Sequence, residues 1–134
     1  MDINTSKDLA REITRILIEK KAIDVKLFDV SHDSSITDYF VNATGRSSTN
    51  VRALTDDVLD KIEEYGKEAF RVEGREGNSW LLIDFGDVIV NVFDKQSREF
   101  YNFDRLLPES SLVDISDIVK EIDNKYDVNN TKED

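Results

Sequence analysis

The segment SWLLIDFGDVIVNVFD, Ser79 to Asp94, constrains the fold more than any other part of the chain. It reads as two strands rich in β-formers around DFGD, where Gly86 supplies the backbone angle that a tight two-residue turn needs. With the turn centred on Gly86 and Asp87, Phe85 falls opposite Val88, Ile83 opposite Val90 and Leu81 opposite Val92. Moving the turn by one residue changes these partners but not the faces, because strand side chains alternate with period two. One face, Leu81, Ile83, Phe85, Val88, Val90 and Val92, is wholly apolar and must pack under a helix. The other face, Trp80, Leu82, Asp84, Ile89, Asn91 and Phe93, is apolar at four of its six places and sets a carboxylate and an amide among them.

Two readings fit that second face. A sheet covered on both sides would bury it, at a cost of about 1–3 kcal/mol for each of Asp84 and Asn91 left without a partner. A docking surface explains it equally well, since an aromatic anchor among a few polar groups is the usual make-up of a protein interface. Contact with a second copy of the chain is a third possibility. The residues alone do not choose.

The remaining elements follow from periodicity. Leu9, Ile13, Ile16 and Leu17 recur at helical spacing behind a Thr5–Asp8 capping pair, which predicts a helix over 6–21. DVKLFDV (24–30) and DYFVNA (38–43) predict two strands. Val51, Leu54, Val58, Ile62 and Tyr65 predict a second helix that closes at Gly66 in a left-handed C-cap. AFRVEG predicts a third strand and GREGN a turn into the hairpin. The order α-β-β-α-β-β-β specifies one α/β domain with a mixed five-stranded sheet and flanking helices. Pro108, the only proline, is expected to separate a domain of residues 1–107 from an acidic tail of residues 108–134. In that tail Ile115, Ile118 or Val119, Ile122 and Tyr126 suggest a short amphipathic helix, with NNTKED frayed beyond it.

At 134 residues the chain suits a single core. The absence of cysteine excludes disulfides, thiolate metal sites and thiol nucleophiles. The N-terminus lacks the layout of a signal or transit peptide, and no stretch reaches the roughly 20 apolar residues that span a bilayer, so a soluble, cytoplasmic protein is expected. The formal charge of −11 comes from 18 basic and 29 acidic residues. Residues 108–134 hold eight acidic and three basic side chains, net −5, leaving −6 for the rest. Both parts disfavour membranes and direct, sequence-specific nucleic-acid binding, and both attract basic proteins.

Catalytic constellations are sparse. TGRSST (Thr44 to Thr49) joins a strand to a helix, so Gly45, Arg46 and Ser47 form a weak candidate phosphate site. The spacing matches neither a P-loop nor a dinucleotide fingerprint, and a serine here caps a helix more simply. A nucleotide-binding or nucleotidyltransferase-type enzyme using this loop is the alternative function. Two-metal chemistry needs paired carboxylates, whereas FRVEG offers Glu73 beside Arg71, and Asp56 and Asp57 are expected to be solvated. No metal or cofactor is expected. The lone His32, in VSHDSS, reads as a surface-loop residue, because adjacent side chains do not make a triad. SREFYNFDRLL (Ser97 to Leu107) places Arg98 and Tyr101 where they can edge the Trp80 face, in residue types enriched at interface hot spots.

Taken together these motifs resemble the ribosomal silencing factor family, also called RsfS or Iojap-like. The resemblance spans KKAIDVKLFDVSHDSSITDYFVNATGRSSTNVRALTDDV (Lys20 to Val58), VEGREGNSWLLIDFGDVIVNVFDKQSREFYNFDRLL (Val72 to Leu107) and the closing VDISDIV. Glu73 and Gly74, then Trp80, Asp84, Gly86 and Asp87, then Arg98, Phe100 and Tyr101 match its motif series. Asn91 stands where the family usually has histidine, Asp104 where it has glutamate and Leu107 where tryptophan is common. The resemblance implies a nucleotidyltransferase-like topology without catalysis. It also implies a repressor that binds protein fourteen of the large ribosomal subunit and blocks joining of the small one, aids ribosome biogenesis in some members, and can form homodimers. It tips the second hairpin face toward docking, with Trp80, Leu82, Asp84, Asn91, Phe93, Arg98 and Tyr101 as the expected contacts. On that expectation, Trp80→Ala abolishes ribosome binding at little cost in stability.

Overall fold

A computed structural model describes the backbone of residues 3–133 and the side chains of residues 3–126. Five strands, β1 (Ile23–Asp29), β2 (Tyr39–Gly45), β3 (Arg71–Glu73), β4 (Trp80–Asp84) and β5 (Val88–Asp94), form one sheet in the order β1-β2-β5-β4-β3. Strands β2 and β5 run parallel and the other neighbours antiparallel, so the sheet is mixed as the element order requires. The hairpin turn lies at Gly86 and Asp87: Phe85 N–H donates to Val88 C=O at 2.9 Å, Gly86 takes φ +89°, and Leu81 faces Val92 and Ile83 faces Val90.

Helices α1 (Ser6–Glu19) and α2 (Ser48–Glu63) pack on the wholly apolar side of the sheet. Their starts obey local chemistry. Thr5 accepts the Asp8 N–H at the head of α1, and Ser47 accepts the Asn50 N–H at the head of α2, each satisfying a donor that the first turn leaves free. The predicted faces are the buried ones. Leu9, Ile13, Ile16 and Leu17 of α1 and Val51, Leu54, Val58 and Ile62 of α2 meet Leu81, Ile83, Val88, Val90 and Val92, while Tyr65 remains partly exposed.

Two elements depart from expectation. Directly after β5 the chain forms a short helix, α3 (Lys95–Tyr101), which the irregular aromatic pattern of SREFYNFDRLL hides. Asp94 caps its start by accepting the Ser97 N–H at 2.7 Å, and Asn102, in the left-handed region at φ 46°, ends it. A 3-10 turn, Phe103–Leu106, then follows.

Beyond Pro108 the chain stays attached to the domain. Val113 N–H donates to Leu27 C=O of β1 at 2.9 Å, and Leu112 bridges to Phe28. Helix α4 (Ser116–Glu133) lies against α1 with Ile118 and Ile122 buried. Arg11–Asp117, Arg15–Glu121 (3.1 Å) and Glu19–Lys125 (3.6 Å) pair along the seam. The helix is longer than the short one predicted. The side chains of the NNTKED end lie outside the described residues.

Candidate functional site

The face of the hairpin opposite α1 and α2 continues across the sheet through Phe40, Asn42 and Thr44 of β2, which register with Ile89, Asn91 and Phe93 of β5. Helix α3 and the Phe103–Leu106 turn fold back over part of it. Phe103 meets Phe40 edge-on at 5.2 Å and Trp80 at 6.0 Å, and Trp80 lies 4.9 Å from Phe93 and 5.0 Å from Tyr101. The Arg98 guanidinium sits 5.8 Å from the centre of the Phe93 ring. Asn91 and Phe93 are consequently 0% exposed. They make no surface for a partner, which corrects their expected place among the contact residues: the chain's own α3 covers them. Arg98, also buried, is likewise a supporting residue rather than a contact.

The polar groups under this cover are joined into one chain of hydrogen bonds. Trp80 Nε1–H donates to Asn91 Oδ1 at 3.0 Å, Asn91 Nδ2 to Asn42 Oδ1 at 3.0 Å, and Asn42 Nδ2 to Asp104 Oδ1 at 2.7 Å. Arg98 closes it, donating through Nη2 to Asp104 Oδ2 at 2.7 Å and through Nη1 to Thr44 Oγ1 at 3.0 Å. This explains how amides survive inside an apolar face: each buried donor and acceptor that would otherwise cost about 1–3 kcal/mol has a partner. Asp84 uses its carboxylate locally, accepting the Gly86 N–H at 2.7 Å and pairing with Arg71 Nε at 3.2 Å. It shapes the turn and remains half-buried.

What stays open to solvent is a smaller, aromatic step. Trp80 and Leu82 are half-buried and, with Glu73 and Gly74, line a shallow depression of about 310 Å³. Tyr101 is 53% exposed and Phe100 78%, their rings 5.0 Å apart. One part of the face is thus covered by the chain's own α3, and another part stays open to solvent. Phe100, Asn42 and Asp104 belong to the assembly although sequence reasoning gave them no role in the face. Two asparagines at matching places in neighbouring strands carried the signal, but the parallel pairing of β2 with β5 was needed to see it. Trp80 is also more structural than expected. A tryptophan buries about 150–250 Å², and Trp80 keeps most of that from solvent, so at about 25 cal/mol per Å² Trp80→Ala costs about 2–5 kcal/mol.

The Gly45 loop is organised differently from a phosphate site. Arg46 N–H donates to Asn50 Oδ1 and Asn50 N–H to Ser47 Oγ, at 2.9 and 3.1 Å, so two amides that an anion would take are occupied. Arg46 Nη1 donates to the Lys21 carbonyl at 3.2 Å. Gly45 is there for close packing, since a Cβ would sit 2.8 Å from Val51 Cγ2. Among the described residues no three His, Cys, Asp or Glu side chains gather where they would hold a metal ion, and Asp56 is paired with Arg75 at 3.0 Å. His32 is exposed in its loop. Among the described residues, no helix is long and apolar enough to cross a membrane.

Comparison with known proteins identifies the family. A family described as "Ribosomal silencing factor during starvation" (RsfS) matches residues 3–134. The ribosomal silencing factor RsfS of Bacillus subtilis is 34% identical over 97 residues, covering 72% of this chain and 82% of that protein. The RsfS of Halalkalibacterium halodurans is 31% identical over 115 residues, covering 86% and 98%. A mouse protein named "Mitochondrial assembly of ribosomal large subunit protein 1" is 26% identical over 98 residues, 70% of this chain and 42% of that one. A solved structure from Bacillus halodurans has a TM-score of 0.71 at 33% identity, covering 81% of this chain and 98% of that one. With the match running through the strands, α3 and α4 alike, the chain belongs to the ribosomal silencing factor family.

Proposed function

We propose that this protein is a non-catalytic repressor of translation. It docks on the large ribosomal subunit in the cytoplasm, through that subunit's protein fourteen, and keeps the small subunit from joining. The observation that carries the reading is the exposed aromatic step: Trp80 and Leu82 beside Tyr101 and Phe100, set on a buried and fully bonded support. Large aromatic rings held rigidly at a solvent-facing edge are the residue type and setting of interface hot spots. The names of relatives, ribosomal silencing factor and mitochondrial assembly of ribosomal large subunit protein 1, support a large-subunit partner. In this reading Trp80, Leu82 and Tyr101 touch the ribosomal protein, Asn91, Phe93 and Arg98 hold them, and Asp84 fixes the neighbouring turn. The formal charge of −11 draws the domain toward a basic protein and away from flanking RNA, which speeds and orients encounter.

The test is direct. Purified large and small subunits are mixed with the protein and their association is followed by light scattering. Dose-dependent loss of association, relieved by Tyr101→Ala, is expected. Undiminished association at saturating protein refutes the reading. If a homodimer uses the same face, sedimentation will show self-association competing with subunit binding.

A further inference from the structure

We infer that the buried polar chain is a positioning device for the Trp80 indole, with Asn42 and Asp104 as positioning residues that act through Asn91. The inference rests on the docking reading above and assigns roles to two residues away from the docking surface. Its basis is the direction of the hydrogen bonds. An indole N–H can only donate and a carboxylate can only accept. The two amides between them therefore have one consistent arrangement, every step donating toward Asp104: Trp80 to Asn91, Asn91 to Asn42, Asn42 to Asp104. Turning either amide round would set donor against donor or acceptor against acceptor.

The acceptor end is itself fixed. Arg98, whose guanidinium stays charged, holds the other Asp104 oxygen at 2.7 Å and is anchored on Thr44, and Lys26 approaches Asp104 at 3.8 Å. The polarity of the chain is thus locked by an ion pair at one end and read out by the indole at the other. Tilted contacts with Phe93 and Tyr101, at 4.9 and 5.0 Å, pack the ring without fixing a direction for its N–H. The bond from Nε1 supplies that direction.

A fully satisfied buried network contributes little more to stability than well-packed apolar groups would. What it adds here is orientation. A ring already held in its binding position loses less freedom on docking, and the complex gains affinity accordingly.

The 134-residue chain carries a single tryptophan and so gives one indole N–H resonance, whose exchange with water reports on its bond to Asn91. Asn42→Leu keeps the branched outline of the side chain, at a larger volume, and cuts the chain at its middle. Indole exchange is expected to quicken at least tenfold, and affinity for isolated large subunits to fall about tenfold, while amides of β2 and β5 keep their protection. Asp104→Ala, at a partly exposed position, removes the acceptor that ends the chain and should move both readouts the same way. If Asn42→Leu fails to fold, Asp104→Ala decides the matter alone. A folded variant with unchanged exchange overturns the inference, and so does faster exchange with unchanged affinity. Trp80→Ala separates the two readings: if it binds subunits as the wild type does, the docking face is wrong, and the exchange measurement still decides whether the chain positions the ring.

Discussion

Truncating Ile118 to alanine asks whether the segment beyond Pro108 is a structural layer of the domain or an appendage to it. Ile118 is 0% exposed and Ile122 5%, on a helix that contacts α1. Burying an isoleucine side chain is worth about 1.5–3 kcal/mol, and the cavity left by truncation raises the loss to about 2–5 kcal/mol. The ion pairs along the same seam count for less. Each has a partner whose side chain is more than 60% exposed: Asp117 at 63%, Glu121 at 62% and Lys125 at 62%. Pairs of that kind contribute about 0.2–1 kcal/mol each.

The two contributions separate under salt. Raising the ionic strength from about 0.1 to about 1 M shortens the screening length from about 10 to about 3 Å and weakens the ion pairs while leaving Ile118 in place. Urea unfolding followed by circular dichroism should therefore show a single transition, a small loss in high salt, and a larger loss for Ile118→Ala in either buffer. A change below about 1 kcal/mol for Ile118→Ala, or an early transition of α4 alone, would refute α4 as part of the cooperative unit.

Other perturbations probe the site and its surroundings. Gly74→Ala forces a Cβ to within 2.0 Å of the Trp80 carbonyl at φ +97°, so the backbone beside the indole must move. A loss above about 1 kcal/mol with a shifted tryptophan emission is expected. Asp94→Ala removes the cap of α3 and should cost about 1 kcal/mol in urea unfolding, with faster amide exchange in Lys95–Tyr101. Asp29 has its carboxyl held below the ordinary value by the Ser31 hydroxyl and then by the Ser31 N–H. A folded value lowered in this way gives stability that is present above the unfolded pKa and lost as pH falls through the folded one. Ser31→Ala should bring the Asp29 titration, followed by NMR, back up toward the ordinary value and reduce that acid-dependent loss.

The apolar half of this fold was legible because period-two and helical spacing act locally. Leu81, Ile83, Val88, Val90 and Val92 name their own face, and Val51, Leu54, Val58 and Ile62 name the stripe that covers it. The opposite face was ambiguous for a physical reason. Asn91 looks the same in sequence whether a partner protein or its own chain satisfies it. The answer lay in Asn42 and Asp104, 49 and 13 residues away, which a parallel strand pair and the left-handed Asn102 bring to it. Helix α3 escaped detection because its seven residues are too few to show a repeating stripe, and its cap at Asp94 doubles as the end of a strand. In α4 the stripe was visible at Ile118 and Ile122, but nothing in the sequence said which surface it would meet.

The inward bond of the indole also limits what the proposed docking face can offer outward. Trp80 Nε1–H is already engaged by Asn91, so a partner need not supply an acceptor, and what remains of Trp80 at the surface is ring. Beside it lie Leu82, Tyr101 and Phe100, apolar or aromatic, and Glu73, whose carboxylate is 3.2 Å from Arg71. Such a surface selects a partner by shape, by apolar contact and by positive charge laid against a ring face, an interaction worth about 0.5–1 kcal/mol at exposed sites and more when dried. A lysine- or arginine-bearing protein surface meets these conditions and a phosphate backbone does not, because a ring face repels anions and the domain is negative overall. On the proposed docking reading, selectivity for a ribosomal protein over the RNA around it would follow from the turning inward of one N–H group, together with the charge of the whole chain.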